Sequence, residues 1–239
     1  MRSSEIQGNG KRTLLLGLGL TVGALGGLVI GRRLAVRRQM PYLSRFQRAL
    51  AEKRGQAEAA TLAARAQERH DELHAHRPRF THRELRQHLE KNILPGLTLY
   101  QVLRETEPPK DQDAVLREME ALFEAAFGPS ARVMSVLRYL PDPFRMFRRL
   151  ALWALRAGFP PQGWDIEWVE NSDRCLAFDI RRCFYLEVLT AYGASELTSL
   201  YCKMDDLMYE DLPPAITWER TKTLGQGDDR CDFRWCRKG

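Results

Sequence analysis

Nineteen consecutive residues, Thr13 to Gly31, carry no charge: TLLLGLGLTVGALGGLVIG. As a helix rising 1.5 Å per residue the run is roughly 28 Å long, close to the hydrocarbon thickness of a bilayer. The expectation is one transmembrane helix. Only Arg2, Lys11 and Arg12 precede it, whereas Arg32, Arg33, Arg37, Arg38, Arg45 and Arg48 follow. The arginine-rich side stays in the cytoplasm, which makes the chain a single-pass membrane protein with a cytoplasmic soluble body. A cleaved export signal is the rival reading, but no clear Ala-x-Ala site follows and the arginines oppose translocation. Gly19, Gly23, Gly27 and Gly31 repeat every four residues along one helix face, bare backbone that permits self-association in lipid.

The formal charge of +6 would suit nucleic acid; its distribution does not. Of 37 Lys+Arg and 31 Asp+Glu, residues 1–40 hold seven and one, leaving 30 of each sign beyond. The excess belongs to the anchor, and no nucleic-acid partner is expected. The five cysteines (175, 183, 202, 231 and 236) are odd in number and form no Cys-x-x-Cys pair. Reduced thiols in the cytosol fit that pattern better than a secreted disulfide framework.

Three segments follow: an N-terminal tail and anchor (1–40), a helical stalk (41–78) and a domain over 79–239. Residues 43–73 are rich in Ala, Arg, Glu and Gln without proline, the composition of a long surface helix. His70 and His74 stand four apart there; with no third ligand nearby they read as a solvated face. Thr81 and Glu84 form a capping-box pattern for a helix through Leu85, Leu89 and Ile93 to Pro95. A short helix over Leu99–Leu103 comes next. Val115, Met119, Leu122, Phe123 and Phe127 mark an amphipathic helix ending at Gly128-Pro129. Two more helices are read over 131–139 and 143–157. From Gly163 the period shifts to two, with Trp164, Ile166 and Trp168 on a strand and Cys175–Ile180 as its hairpin partner. Helices over Cys183–Ala191 and Glu196–Tyr209 and strands over Ile216–Arg220 and Cys231–Trp235 complete an α+β fold with a small, mainly antiparallel sheet.

No Walker loop or dinucleotide fingerprint occurs, and the last histidine is His88. A Ser-His-Asp triad or a histidine zinc site within the sheet-bearing half is therefore excluded, and neither metal nor cofactor is expected. That half instead gathers thiols, carboxylates and one arginine in CFYLE, YCKMDD, WERTKTLGQG and CDF. Cys202 stacks with Asp205 or Asp206 on one helix side, a nucleophile beside an acid/base partner or else a buried structural thiol. Arg220 could grip a substrate carboxylate or pair with Asp205, Asp206 or Glu187.

The stretches ILPGLTLYQVLRE, FDIRRCFYLEVLTAYGASELTSLYCKMDDLMYEDL and WERTKTLGQGDDRCDF, with the spacing of Cys183, Cys202, Arg220 and Cys231-Asp232-Phe233, resemble the L-2-amino-thiazoline-4-carboxylic acid hydrolase family. The resemblance covers roughly Leu94–Phe233. It implies a hydrolase that attacks a cyclic, amidine-type C=N carbon and opens a thiazoline ring to an N-carbamoyl amino acid. On that basis Cys202, Asp205, Asp206 and Cys231 are the candidate catalytic residues, and Arg220, Cys183 and Thr221 the candidate binders of a small-molecule substrate. The alternative is a non-catalytic ligand-binding or interaction module of the same fold held at the membrane.

Overall fold

Alanine spacing decides how the described chain begins. A computed structural model of the protein describes residues 39–106 and 111–238, in which α1 (Leu43–Arg54) and α2 (Gln56–His76) are separate helices. They break at Gly55, whose φ of 84° lies where a side chain is disfavoured. On α2, Ala59, Leu62, Ala63, Ala66 and His70 recur at helical spacing and are buried. The three alanines among them let α2 lie closely on α4 (Leu94–Thr106). Phe46 of α1 is buried as well and meets Phe123 at 5.5 Å. The expectation of a surface stalk over 41–78 is therefore corrected. Both helices belong to the body, and His70 is buried rather than solvated. Residues 40–239 form one unit with a single continuous core.

The anchor expected over residues 13–31, with its four glycines, lies outside the described residues. Among the described residues no helix is long and apolar enough to cross a membrane.

Helix α3 (Arg83–His88) starts after His82 without a side-chain cap, so the Thr81–Glu84 box does not form. It runs through a wide π-helical turn, Leu89–Ile93, straight into α4. Pro95 does not end this helix: the π turn before it gives the slack its ring requires. On α5 (Gln112–Ala131), Val115, Met119, Leu122 and Phe123 are buried at helical spacing. A 3-10 stretch, Arg132–Tyr139, leads to α6 (Pro143–Gly158). The Asp142 carboxylate caps α6 by accepting from the Arg145 N–H at 3.0 Å, with Pro143 in the first turn where no N–H is needed.

The sheet is fully antiparallel, in the order β1 (Trp164–Asn171), β2 (Cys175–Cys183), β4 (Cys231–Arg237), β3 (Ile216–Glu219). This bears out the α+β class. Leu176 to Ile180 are buried without interruption because β2 is interior, between β1 and β4. Helices α7 (Phe184–Ala191) and α8 (Thr198–Tyr209) connect β2 to β3. In register across β2 and β4, Cys175 and Cys236 are joined as a disulfide. The expectation that all five thiols are reduced is corrected: facing strand positions brought together two cysteines 61 residues apart. Cys183, Cys202 and Cys231 remain free.

Candidate active site

Helix α8 and strand β4 converge on a cavity of about 450 Å³. Aromatic rings line much of its wall, among them Phe178, Phe233, Trp164 and Trp235; Cys183, Cys202, Cys231, Asp205 and Arg220 supply a polar end. Three segments far apart in the chain therefore meet here. The helical spacing of α8 turns Cys202 and Asp205 to one side, β4 begins with Cys231, and Arg220 follows directly on β3.

The Cys202 and Cys231 thiols act on each other, and their shifts run in opposite directions. Donation from Cys231 holds the Cys202 thiol below its ordinary value, against burial and the Asp205 charge, with help from the Arg220 guanidinium and the Gly225 N–H. Cys231 is pushed up correspondingly, first by that bond and then by burial. Its sulfur also accepts from the Leu224 N–H at 3.2 Å. The 3-10 turn Leu224–Gln226 can rest on α8 because Gly225 has no side chain: a Cβ there would lie 3.0 Å from the Cys202 Sγ. Burial pushes the Cys183 thiol up to about 11, which leaves Cys202 as the one thiol of the three held below its ordinary value.

Asp205 is pushed up to about 6, chiefly by burial, with Arg220 pulling the other way. Its side chain keeps 40% of its accessible surface, yet it lines the aromatic-walled cavity, and that setting explains why desolvation dominates. The Arg220 side chain is only 2% exposed. It donates to Asp205 at 3.0 Å, to Asp206 at 2.7 Å and to the Cys202 carbonyl at 2.6 Å. The rings of Phe233 and Trp218 flank it at 5.3 and 5.6 Å. Of the two readings of Arg220, the ion pairs are what the structure contains.

Two candidates lie off the cavity wall. Asp206 is exposed, bound to Arg220 and accepting from the Trp218 indole at 3.3 Å. The Thr221 hydroxyl donates to Asp232 at 2.6 Å, and Asp232 also accepts the Thr221 and Lys222 N–H groups. Burial disfavours the Asp232 carboxylate, but these donors outweigh it and hold its pKa down. Asp232 thereby fixes the strand-to-turn crossing that carries Arg220 and Gly225.

The chain's order hid a second polar group on the wall. Tyr185 lines the cavity; its hydroxyl lies 2.9 Å from the His88 Nδ1 and accepts from the Asn92 amide at 3.1 Å. The His88 Nε2 lies 2.9 Å from the Gly158 carbonyl and must donate to it, which leaves Nδ1 to accept from Tyr185. Burial keeps His88 on the neutral side of its ordinary value, against the Gly158 carbonyl and Glu84. The absence of histidine from the sheet-bearing half is a fact of sequence, but α3 carries His88 to Tyr185. Among the described residues no group of three or more His, Cys, Asp or Glu side chains is arranged to hold a metal ion.

A family model described as L-2-amino-thiazoline-4-carboxylic acid hydrolase matches residues 86–235. No curated protein matches the chain. Among solved structures, an Fe(II) unliganded H-NOX protein mutant from K. algicida is similar at 13% identity and a TM-score of 0.32, over 84% of this chain and 97% of that one. The corresponding protein without the mutation gives 12% and 0.30, over 83% and 95%. Scores at this level carry no argument about fold or ligand.

Proposed function

Because the chain belongs to the L-2-amino-thiazoline-4-carboxylic acid hydrolase family, we propose that its cavity opens a small, carboxylate-bearing heterocycle at a cyclic, amidine-type C=N carbon. The observation that carries this reading is the meeting of two free thiols, Cys202 and Cys231, with the half-buried Asp205 and the Arg220 guanidinium at the polar end of one cavity.

In this reading Cys202 is the nucleophile, since Cys231, Arg220 and the Gly225 N–H all favour its thiolate. The sulfur adds to the C=N carbon while the Asp205 carboxyl gives the ring nitrogen a proton. Expulsion of the ring sulfur opens the ring and leaves the carbon on Cys202. Water then adds and the Cys202–carbon bond breaks with Cys202 leaving as thiolate; one water proton returns to Asp205, the other goes to the expelled ring sulfur, and an N-carbamoyl amino acid bearing a thiol leaves. Direct attack by water differs only in omitting the covalent stage. A substrate carboxylate that draws Arg220 away from Asp205 removes the counter-ion of Asp205, raises its pKa further and so delivers it protonated. Arg220 thus couples binding to acid catalysis. Asp206 and Thr221, off the cavity wall, position Arg220 and its strand.

The localisation proposed with this activity is a body tethered by the apolar run at 13–31 and held on the arginine-rich, cytoplasmic side.

Cys202→Ser and Asp205→Asn change side-chain volume little, so each is expected to lower 2-amino-thiazoline-4-carboxylate ring opening by about 10²-fold or more with the melting temperature nearly unchanged. Full turnover by Cys202→Ser would leave the thiol as packing and move the nucleophile's role to water.

A further inference from the structure

Helix α6 turns an apolar stripe toward solvent. Phe144 and Phe147 face the core, whereas Met146, Leu150 and Trp153 recur at helical spacing on another side and are exposed, Trp153 at 69%. The 3-10 stretch before it adds Tyr139 at 82% and Val136 at 51%. So many large apolar side chains gathered on 18 successive residues mark an interaction surface rather than ordinary scatter.

Beside the stripe, Arg145, Arg149 and Arg156 share the next side of α6 and are exposed. Arg149 and Arg156 make no ion pair among the described residues. Residues 132–158 hold six arginines and one acid, Asp142, within a body whose charges balance as a whole. Arg145, Arg148, Arg149 and Arg237 line a second cavity at this edge, together with Asp142 and Asp173. An apolar stripe flanked by arginine and carrying a tryptophan is what a helix lying in a membrane interface requires.

We propose that this face of α6 docks on an anionic lipid surface. Trp153, Leu150 and Met146 enter the boundary between headgroups and acyl chains, and Arg145, Arg149 and Arg156 meet lipid phosphates. A second copy of the chain would answer the stripe but set one arginine row against another; anionic lipid answers both. The docking holds whether or not the neighbouring cavity is catalytic.

The test uses residues 40–239, a unit with its own core, so that the apolar run at 13–31 plays no part. The body is co-sedimented with phosphatidylcholine vesicles with and without roughly one-third phosphatidylserine. Binding is expected to be about tenfold or more tighter with phosphatidylserine and to weaken as salt is added. Trp153→Glu and the pair Arg149→Glu/Arg156→Glu should each weaken it by about tenfold or more at an unchanged melting temperature. Absence of vesicle binding, or wild-type binding by Trp153→Glu, overturns the proposal. So does a body dimer in sedimentation velocity that Trp153→Glu dissolves, because the stripe would then be covered by a second copy.

Discussion

Asp205 stands one helical turn from Cys202, and the cavity shifts the two in opposite directions: the thiol down, the carboxyl up to about 6. A carboxyl near 6 can exchange a proton close to neutral pH, where an exposed aspartate stays ionised. The kcat/KM profile is therefore expected to show a limb near pH 6 that Asp205→Asn removes; an unchanged limb in that variant would assign it to another group. Stability carries its own sign. Burial raises the folded-state pKa, so the folded state holds the proton longer. The contribution of Asp205 is thus most favourable below its ordinary carboxylate value. It is lost as pH rises from there to about 6 and stays lost above. Urea midpoints of wild type and Asp205→Asn measured at either end of that window give the difference directly. Arg220→Lys tests the neighbouring group. A lysine cannot reach Asp205, Asp206 and the Cys202 carbonyl together, so it should lower stability by about 1–3 kcal/mol and kcat as well as affinity. A change confined to KM would mean that Arg220 acts only on substrate.

At the scale of elements, the hairpin, the last two strands and helix α8 were legible because alternation and helical spacing report local burial. The 41–78 segment was not. Alanine at every third or fourth place suits an exposed helix and a closely packed one equally, and only the partner, α4, distinguishes them. Pro95 misled for a related reason, since a π turn is not written in propensity. The disulfide between β2 and β4 is likewise a matter of register. Its prediction is a thiol count: the denatured body should titrate three thiols before reduction and five after. Cys175→Ser/Cys236→Ser should lower stability by about 2–4 kcal/mol in urea melts, given the long loop it closes. Five thiols without reductant would show the pair to be unbonded in solution.

For the molecule as a whole, two features pull in different directions. The arginines after the apolar run favour a cytoplasmic body, whereas a disulfide is more at home in an oxidising compartment. Charge at the flank governs insertion, so alkaline phosphatase fused to the C-terminus of the full chain should be inactive in a bacterial host. Strong activity would place the body outside and make the disulfide the better guide.

Residue order alone determined the family resemblance, the α+β class and the gathering of thiols, carboxylates and arginine in the last third, because motifs and periodicities are local. Tertiary structure decided which of them share a cavity. Cys183, Cys202, Cys231, Asp205 and Arg220 meet there, while Asp206 and Thr221 do not. It also brought Tyr185, His88 and Asn92 together from opposite halves of the chain. Convergence of that kind depends on long-range packing, and the shifts of Cys202 and Asp205 depend in turn on that packing, since hydrogen bonding and desolvation arise only where distant segments close around a group.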